Sequence, residues 1–171
     1  MPSNIEIKAR IASVAALLPK ALALADSPPQ RSDQDDTFFA VAHGRLKLRV
    51  FADGSGELIH YLRPDQGGPK LSDYVLAPVA APTPLREAMT RGCGQLGRVR
   101  KHRTLLLTGQ TRIHLDEVEG LGSFLELEVV LHDGQSEAHG HQIANALMAK
   151  LGVLPDSLVN GAYLDLLATS D

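Results

Sequence analysis

The chain has 171 residues, of which 44% are hydrophobic and 22% charged, and its formal net charge is -3. A chain of this length can bury a core, and we expect one domain spanning residues 1–171. The small net charge gives no overall attraction to nucleic acid or to a membrane surface, so neither is an expected partner. A single cysteine excludes an internal disulfide and a thiolate metal cluster, and the first residues lack a signal-peptide pattern, so we expect a cytoplasmic protein.

The first half of the chain is predicted to form five strands and one helix. Residues 4–11 (NIEIKARI) alternate strictly between polar and apolar, which is typical of a strand. A helix capped by Ser13 follows to about Ala25, with a kink or break expected at Pro19. Residues 26–34 are expected to be a loop, and turn-forming sequences then separate four strands at 36–42, 45–51, 56–64 and 70–78.

The second half adds three strands and three helices. Residues 82–92 begin with proline and end with glycine, which is typical of a helix. Strands are predicted at 96–108, 111–118 and 122–134, followed by a helix over 137–151 and a short final helix within 160–168. Most of the eight strands are separated by turn-forming sequence, so an antiparallel sheet is expected.

Charged residues lie on one face of most of these strands. In residues 45–50 (RLKLRV), for example, Arg45, Lys47 and Arg49 oppose three apolar side chains. The same alternation places ten of the chain's 17 lysines and arginines on such faces: Lys8, Arg10, Arg45, Lys47, Arg49, Arg63, Lys70, Lys101, Arg103 and Arg112. Five acids accompany them: Glu6, Glu57, Asp116, Glu126 and Glu128.

Two arrangements are compatible with these charged faces. In an open antiparallel sheet they would face water, while helices cover the apolar face. In a sheet closed into a barrel they would line a wet tunnel, with the apolar face outside beneath the helices. A solvated surface usually intersperses both signs of charge, whereas whole strands are cationic here, which favours the tunnel. Converging bases would bind a polyanion, and the carboxylates beside them would bind a hard cation such as Mg²⁺ or Mn²⁺.

Several short motifs follow one another along nearly the whole chain: NIEIKAR, QDDTFF, GRLKLR, ELIHYLRP, KLSDY, RKHR, RIHLDEVEGLGSFLELE and YLDLL. In this order they resemble the CYTH superfamily, the triphosphate tunnel metalloenzymes, which is named after class IV adenylyl cyclases and thiamine triphosphatases. The resemblance implies an α+β fold, in which a closed eight-stranded antiparallel tunnel with a charged interior carries helices on its outside. It also implies a triphosphate bound inside, with one or two divalent metals, Mg²⁺ or Mn²⁺, and it suggests a homodimer.

The resemblance also assigns roles to individual residues. The implied catalytic residues are Glu6, Lys8, Glu126 and Glu128. The implied metal ligands are Glu6, Asp116, Glu126 and Glu128. The implied substrate-binding residues are Lys8, Arg10, Lys47, Arg49, Arg63, Lys70, Lys101, Arg103, Arg112 and His114.

Two positions depart from the family's pattern. Asn4 stands where the first motif has its first glutamate, which removes one metal-binding charge. Ile59 stands where triphosphatases of the family tend to carry the lysine of an E-L-K strand, a lysine that helps to activate water. We therefore expect one metal site to remain and a second to be weak or dependent on the substrate.

The leading functional interpretation is a class IV adenylyl-cyclase-like reaction, in which the ribose 3′-hydroxyl of ATP attacks the α-phosphorus and pyrophosphate leaves. One alternative is hydrolysis of the terminal phosphoanhydride of thiamine triphosphate, of a nucleotide or of inorganic tripolyphosphate. Another is a non-catalytic polyphosphate or nucleotide-binding protein, which has kept the tunnel and lost full metal ligation through Asn4.

Overall fold

A computed structural model describes residues 3–62 and 68–169. Within these ranges it has eight strands, four α-helices and a 3₁₀ turn at Pro155–Ser157. The strands are β1 Ser3–Arg10, β2 Gln30–Phe39, β3 Arg45–Phe51, β4 Gly56–Leu62, β5 Lys70–Val79, β6 Gln95–Thr108, β7 Thr111–Val118 and β8 Gly122–Val130. The helices are α1 Val14–Leu24, α2 Pro82–Cys93, α3 Glu137–Leu151 and α4 Tyr163–Ala168. Among the described residues, no helix has the length and apolar character needed to cross a membrane.

The eight strands close into an antiparallel barrel, in the order β1-β5-β4-β3-β2-β6-β7-β8. β1 completes the ring, because it pairs with β5 on one side and with β8 on the other. Glu6 consequently lies opposite Lys70 on β5 and opposite Glu128 on β8. The closed eight-stranded α+β barrel predicted from the sequence is confirmed.

The apolar faces of β1 and β8 look outward and pack beneath two helices. Ile5, Ile7 and Leu127 are at most 1% exposed and belong to one core cluster. Leu17 of α1 and Leu147 of α3 belong to the same cluster. Because successive side chains on a strand point to opposite faces, the charged residues that alternate with these apolar ones point into the barrel.

α3 crosses β1 at close range. The helix is capped by Ser136, whose hydroxyl accepts a hydrogen bond from the backbone N–H of His139 at 3.2 Å. At Gly140, an added Cβ would lie 2.6 Å from Cγ1 of Ile5 and 2.7 Å from Cδ2 of Leu131. A residue without a side chain is therefore needed where α3 packs against the barrel.

The structure differs from the sequence prediction in β2, in α1 and in β8, which ends at Val130 and not at residue 134. The predicted loop at 26–34 and strand at 36–42 are wrong in their bounds, because β2 spans Gln30–Phe39. Residues 30–34 pair with residues 101–105 of β6, a strand of 14 residues. This partner stabilises as a strand a polar segment that its own composition does not favour. α1 continues through Pro19 without a break.

α4 and the residues before it cover one end of the barrel. Tyr163 belongs to a second core cluster at that end. Leu164 lies over Gly97 of β6, where an added Cβ would be 2.6 Å from Cδ1 of Leu164. Arg45 of β3 donates two hydrogen bonds to the carboxylate of Asp165, at 3.2 and 2.6 Å. Close packing and a paired charge therefore fix α4 over this end.

Candidate active site

A cavity of about 530 Å³ lies inside the barrel. Side chains from all eight strands line it, together with Ala162 and Tyr163 at the covered end. Its basic lining includes Lys8, Lys47, Arg49, Lys101, Arg103 and Arg112. Its acidic lining includes Glu6, Asp36, Glu57, Glu126 and Glu128. The charged strand faces therefore enclose this cavity.

Asp36 of β2 lies among the bases of the cavity and is 1% exposed. Its two oxygens accept hydrogen bonds from Nε and Nη2 of Arg49, at 2.8 and 2.9 Å. Oδ2 also accepts from Nζ of Lys101 at 3.0 Å and lies 3.3 Å from Nζ of Lys47. Burial alone would raise the pKa of Asp36, but the charges of Arg49 and Lys101 outweigh burial and hold this pKa well below its ordinary value. Asp36 is therefore an anion fixed between bases.

Arg103 of β6 links two carboxylates. Its Nε and Nη2 each donate to Asp116 at 2.7 Å, and Nη2 also donates to Glu126 at 2.8 Å. The hydroxyl of Tyr163 donates a further hydrogen bond to Asp116 at 2.8 Å. Both oxygens of Asp116, a fully buried residue, are thus engaged by neighbouring side chains. In this arrangement Asp116 anchors Arg103 and the first residue of α4.

Lys8 of β1 stands between Glu126 and the covered end of the barrel. Its Nζ lies 3.8 Å from Oε1 of Glu126 and donates to the carbonyl of Gly161 at 3.0 Å. The same atom lies 4.1 Å from the ring centre of Tyr163, within the range of a cation–π contact. Burial would raise the pKa of Glu126, but the charges of Lys8 and Arg103 outweigh it and hold this pKa well below its ordinary value. Glu126 is therefore ionised at neutral pH.

Glu128 of β8 has a basic partner and a neutral histidine beside it. Nε of Arg112 donates to Oε2 of Glu128 at 2.8 Å. Nδ1 of His114 lies 3.9 Å from Oε1 of Glu128 and has no hydrogen-bond partner among the described residues. Burial, followed by the nearby charge of Arg103, lowers the pKa of His114 to about 4. The imidazole is therefore uncharged at neutral pH, and one of its nitrogens can accept a hydrogen bond.

Most of the predicted site residues come together around the cavity. Those that line it are Glu6, Lys8, Lys47, Arg49, Lys101, Arg103, Arg112, His114, Glu126 and Glu128. Arg10 is exposed at the end of β1, and its guanidinium lies 4.8 Å from a phenylalanine ring centre. Lys70 is buried and Asp116 lies behind Arg103, and neither is among the lining residues. Arg63 falls outside the described residues, and the roles given to all of these residues stay predictions.

Asp36 and Tyr163 line the cavity but are not among the site residues predicted from the sequence. The sequence pattern starts the second predicted strand only at residue 36, so it does not show the alternation that places Asp36 on the inner face of β2. Asp35, its neighbour, points outward and pairs with Arg98. Extending the strand back to Gln30 would have separated the two acids by face. Tyr163 reaches the cavity through contacts with strands far away in sequence, for which the local pattern carries no signal.

The carboxylates of the cavity fit a divalent cation by their chemistry. Glu6, Glu126 and Glu128 are hard oxygen donors on one cavity wall, as Mg²⁺ and Mn²⁺ prefer. Asn4 adds a buried Oδ1 that has no hydrogen-bond partner in the described part of the chain. Within residues 3–62 and 68–169, no group of three or more His, Cys, Asp or Glu forms a ready-made metal site. The donors therefore suit a cation that completes its shell with water and phosphate oxygens.

Apolar side chains also line the cavity at the end away from α4. Phe51, Leu76 and Leu105 line it there, and the exposed fraction of Leu76, 44%, places it at the opening. Ile59 lies deeper in the wall and is 8% exposed. The opening therefore includes apolar side chains next to a charged interior.

A closed antiparallel barrel that encloses a charged cavity defines a tunnel protein. The chain belongs to the CYTH domain family, whose family model matches residues 3–163. A search of curated protein sequences found no significant match.

Several solved structures share this fold. The PH1012 protein from Pyrococcus horikoshii OT3 has a TM-score of 0.86 and 22% sequence identity, over 96% of this chain and 99% of that chain. A candidate adenylate cyclase from Vibrio parahaemolyticus has a TM-score of 0.78 and 16% identity, over 97% and 98% of the two chains. The candidate adenylyl cyclase HpAC1 from Hippeastrum, described as having a dominant triphosphatase activity, has a TM-score of 0.70 and 15% identity, over 100% and 97%. At these identities the likeness is one of fold.

Proposed function

We propose that the chain binds a triphosphate inside the barrel and cleaves one of its phosphoanhydride bonds with the help of Mg²⁺ or Mn²⁺. The observation that carries the proposal is the convergence on one cavity of the bases Lys8, Lys47, Arg49, Lys101, Arg103 and Arg112. Carboxylates of the barrel satisfy part of this positive charge, and a bound anion would satisfy more of it. Phosphate oxygens are well suited to that role, because they form strong charge-assisted hydrogen bonds with lysine and arginine.

The bases of the cavity wall would make two kinds of contact with the phosphates. Arg49 and Arg103 bind Asp36 and Asp116 through Nε and Nη2, so phosphate oxygens would bind at the other edge of each planar guanidinium. The lysines would act as point charges. These bases are held by strands of a closed barrel, so they need little rearrangement when charge develops on the phosphate oxygens during bond cleavage. Glu6, Glu126 and Glu128 would hold the divalent cation, which when bound neutralises negative charge on the phosphates.

The leading reaction is the cyclase-like conversion of ATP into cyclic AMP and pyrophosphate. In this reaction the 3′-hydroxyl oxygen forms a bond to the α-phosphorus, and the bond from that phosphorus to the α–β bridging oxygen breaks. That oxygen leaves with pyrophosphate, and the hydroxyl proton passes to water. Two observations support it over hydrolysis. Phe51, Leu76 and Leu105 provide apolar contacts at the opening, where a nucleoside would extend from phosphates bound deeper inside. Ile59 stands where a water-activating lysine is found in triphosphatases of the family.

The second candidate reaction is hydrolysis of the terminal phosphoanhydride. It is favoured by the shared fold with HpAC1, for which a dominant triphosphatase activity is described. The substrate would be thiamine triphosphate, a nucleotide or inorganic tripolyphosphate.

Phosphorus NMR on a substrate panel tests the proposal. ATP, thiamine triphosphate and tripolyphosphate would each be incubated with the protein and Mg²⁺ or Mn²⁺, with a chelated sample as the control. The expected result is cyclic AMP and pyrophosphate from ATP. Release of orthophosphate would identify a triphosphatase, and tight binding without turnover would identify a non-catalytic binding protein. Failure to bind any of the three would refute the proposal.

A further inference from the structure

Asp36 connects bases from both sides of its strand. β2 lies between β3 and β6 in the barrel. From this position Asp36 contacts Lys47 and Arg49 on β3 and Lys101 on β6. One buried carboxylate therefore joins three of the bases that line the cavity.

We propose that Asp36 is a positioning residue that holds Lys47, Arg49 and Lys101 as one preformed cradle for phosphate. The inference rests on the proposed function, since it deepens the account of the same cavity. Asp36 acts through the bases and does not contact the phosphates, because its own negative charge would repel them. Its oxygens are already engaged by the three bases at 2.8–3.3 Å.

The physical basis of the proposal is preorganisation. Lysine and arginine have long side chains, and fixing one of them in a single rotamer costs conformational entropy. When a neighbouring group has already fixed the side chains in the free protein, less of this cost falls on the binding step. The two-atom contact with Asp36 fixes the orientation of the Arg49 guanidinium in this way. Asp36 also offsets the mutual repulsion of three buried positive charges.

Lys101 is a buried base whose protonation depends on the charge of Asp36. Burial lowers the pKa of Lys101 to about 7; Asp36 opposes this shift, whereas Arg49 and Arg103 add to it. An arginine keeps its proton under all of these conditions. If Asp36 lost its charge, the pKa of Lys101 would therefore fall and Lys101 would lose its proton. The charged and titratable groups that face Lys101 are Asp36, Lys47, Arg49, Arg103, Asp116, Glu126 and Tyr163.

The test measures how tightly the variant Asp36→Asn binds inorganic tripolyphosphate. Affinity is measured by calorimetry in chelated buffers across a range of pH. The variant keeps the shape of the side chain and removes its charge. We expect affinity near neutral pH to fall about tenfold, as for the loss of a charge-assisted contact. We also expect affinity to begin to decline at a lower pH in Asp36→Asn than in the wild type. Because tripolyphosphate titrates identically with every variant, this difference reports on the protein. Asp36→Glu should restore both quantities.

Asp35→Asn is the matched control. Asp35 is the neighbouring acid on the same strand, but it points outward and pairs with Arg98. This variant should keep the affinity and the pH profile of the wild type. Tighter binding by Asp36→Asn at every pH would overturn the proposal, because Asp36 would then act as a simple repulsive charge. Unchanged affinity and pH profile with a lower stability would also overturn it.

A ligand-free measurement separates this inference from the proposed function. If the wild type does not bind tripolyphosphate, the proposed function is refuted and the cradle has no phosphate to hold. Carbon NMR of the Lys101 side chain then still tests the contact with Asp36. The Lys101 proton must be lost at a lower pH in Asp36→Asn than in the wild type. Equal titration midpoints would show that Asp36 does not hold Lys101 in its charged form.

Discussion

The buried His114 contributes to the pH dependence of the stability of the barrel, and replacing it with glutamine should remove that contribution. Burial and the charge of Arg103 lower the pKa of His114 from 6.5 to about 4 in the folded chain. At pH values below the pKa of His114 in the unfolded chain, the unfolded state therefore binds more protons than the folded state. The free energy of unfolding consequently decreases as the pH decreases. The contribution is fully present above the unfolded pKa and is lost progressively as the pH falls toward the folded pKa. For a shift of this size it amounts to about 3 kcal/mol.

Urea unfolding in chelated, phosphate-free buffers measures this effect. Between about pH 7.5 and pH 4.5, the wild type should lose about 2–3 kcal/mol more of its free energy of unfolding than His114→Gln does. His139 is exposed at the start of α3, so His139→Gln should follow the wild type at each pH. Parallel curves for the wild type and His114→Gln would refute the reasoning, because they would mean that the cavity accepts a charged imidazole.

Three further predictions concern phosphate binding, catalysis and packing. Lys47→Ala should weaken tripolyphosphate binding about tenfold in calorimetry, because it removes a charge-assisted contact. Lys150→Ala, at an exposed position, should change binding little, and equal losses in the two variants would indicate diffuse surface electrostatics. Glu126→Gln should lower kcat by about a hundredfold or more while phosphate binding persists, since it removes a metal ligand and no base. Normal turnover by this variant, or wild-type turnover that survives exhaustive chelation, would contradict the metal mechanism. Gly140→Ala should lower the free energy of unfolding by about 1–3 kcal/mol in urea, because the added methyl meets Ile5; an unchanged unfolding midpoint would show that α3 can shift at no cost.

The barrel and most of its lining could be predicted because alternation fixes the face of every strand residue. Lys47 and Arg49 must point to the side opposite Leu48, and a face this rich in charge is unusual on an open sheet. Neighbouring strands repeat the same pattern, so one inward face collects charges from all around the ring. The burial of Leu48, which is 0% exposed, agrees with this assignment.

Alternation does not fix the height of a residue along the barrel. Arg10 shares its face with Lys8, yet Arg10 lies at the exposed end of β1 while Lys8 lines the cavity. The height depends on the stagger between neighbouring strands, which is a property of the closed barrel and not of one segment. The same limit applies to Asp116, whose inward direction was visible in the sequence but whose engagement by Arg103 and Tyr163 was not.

The position of β1 between β5 and β8 has a consequence for folding. Ser3 pairs opposite Asp73 and Asn4 opposite Val130, so the barrel closes through contacts between distant parts of the chain. Such contacts form slowly, because a long intervening segment must lose conformational freedom before they are made. During synthesis, β1 leaves the ribosome long before β8 and cannot complete its pairing until β8 has followed. The charged residues that alternate along β1 and β8 keep the unpaired edges of these strands hydrophilic until the barrel closes. This disfavours pairing with other nascent chains.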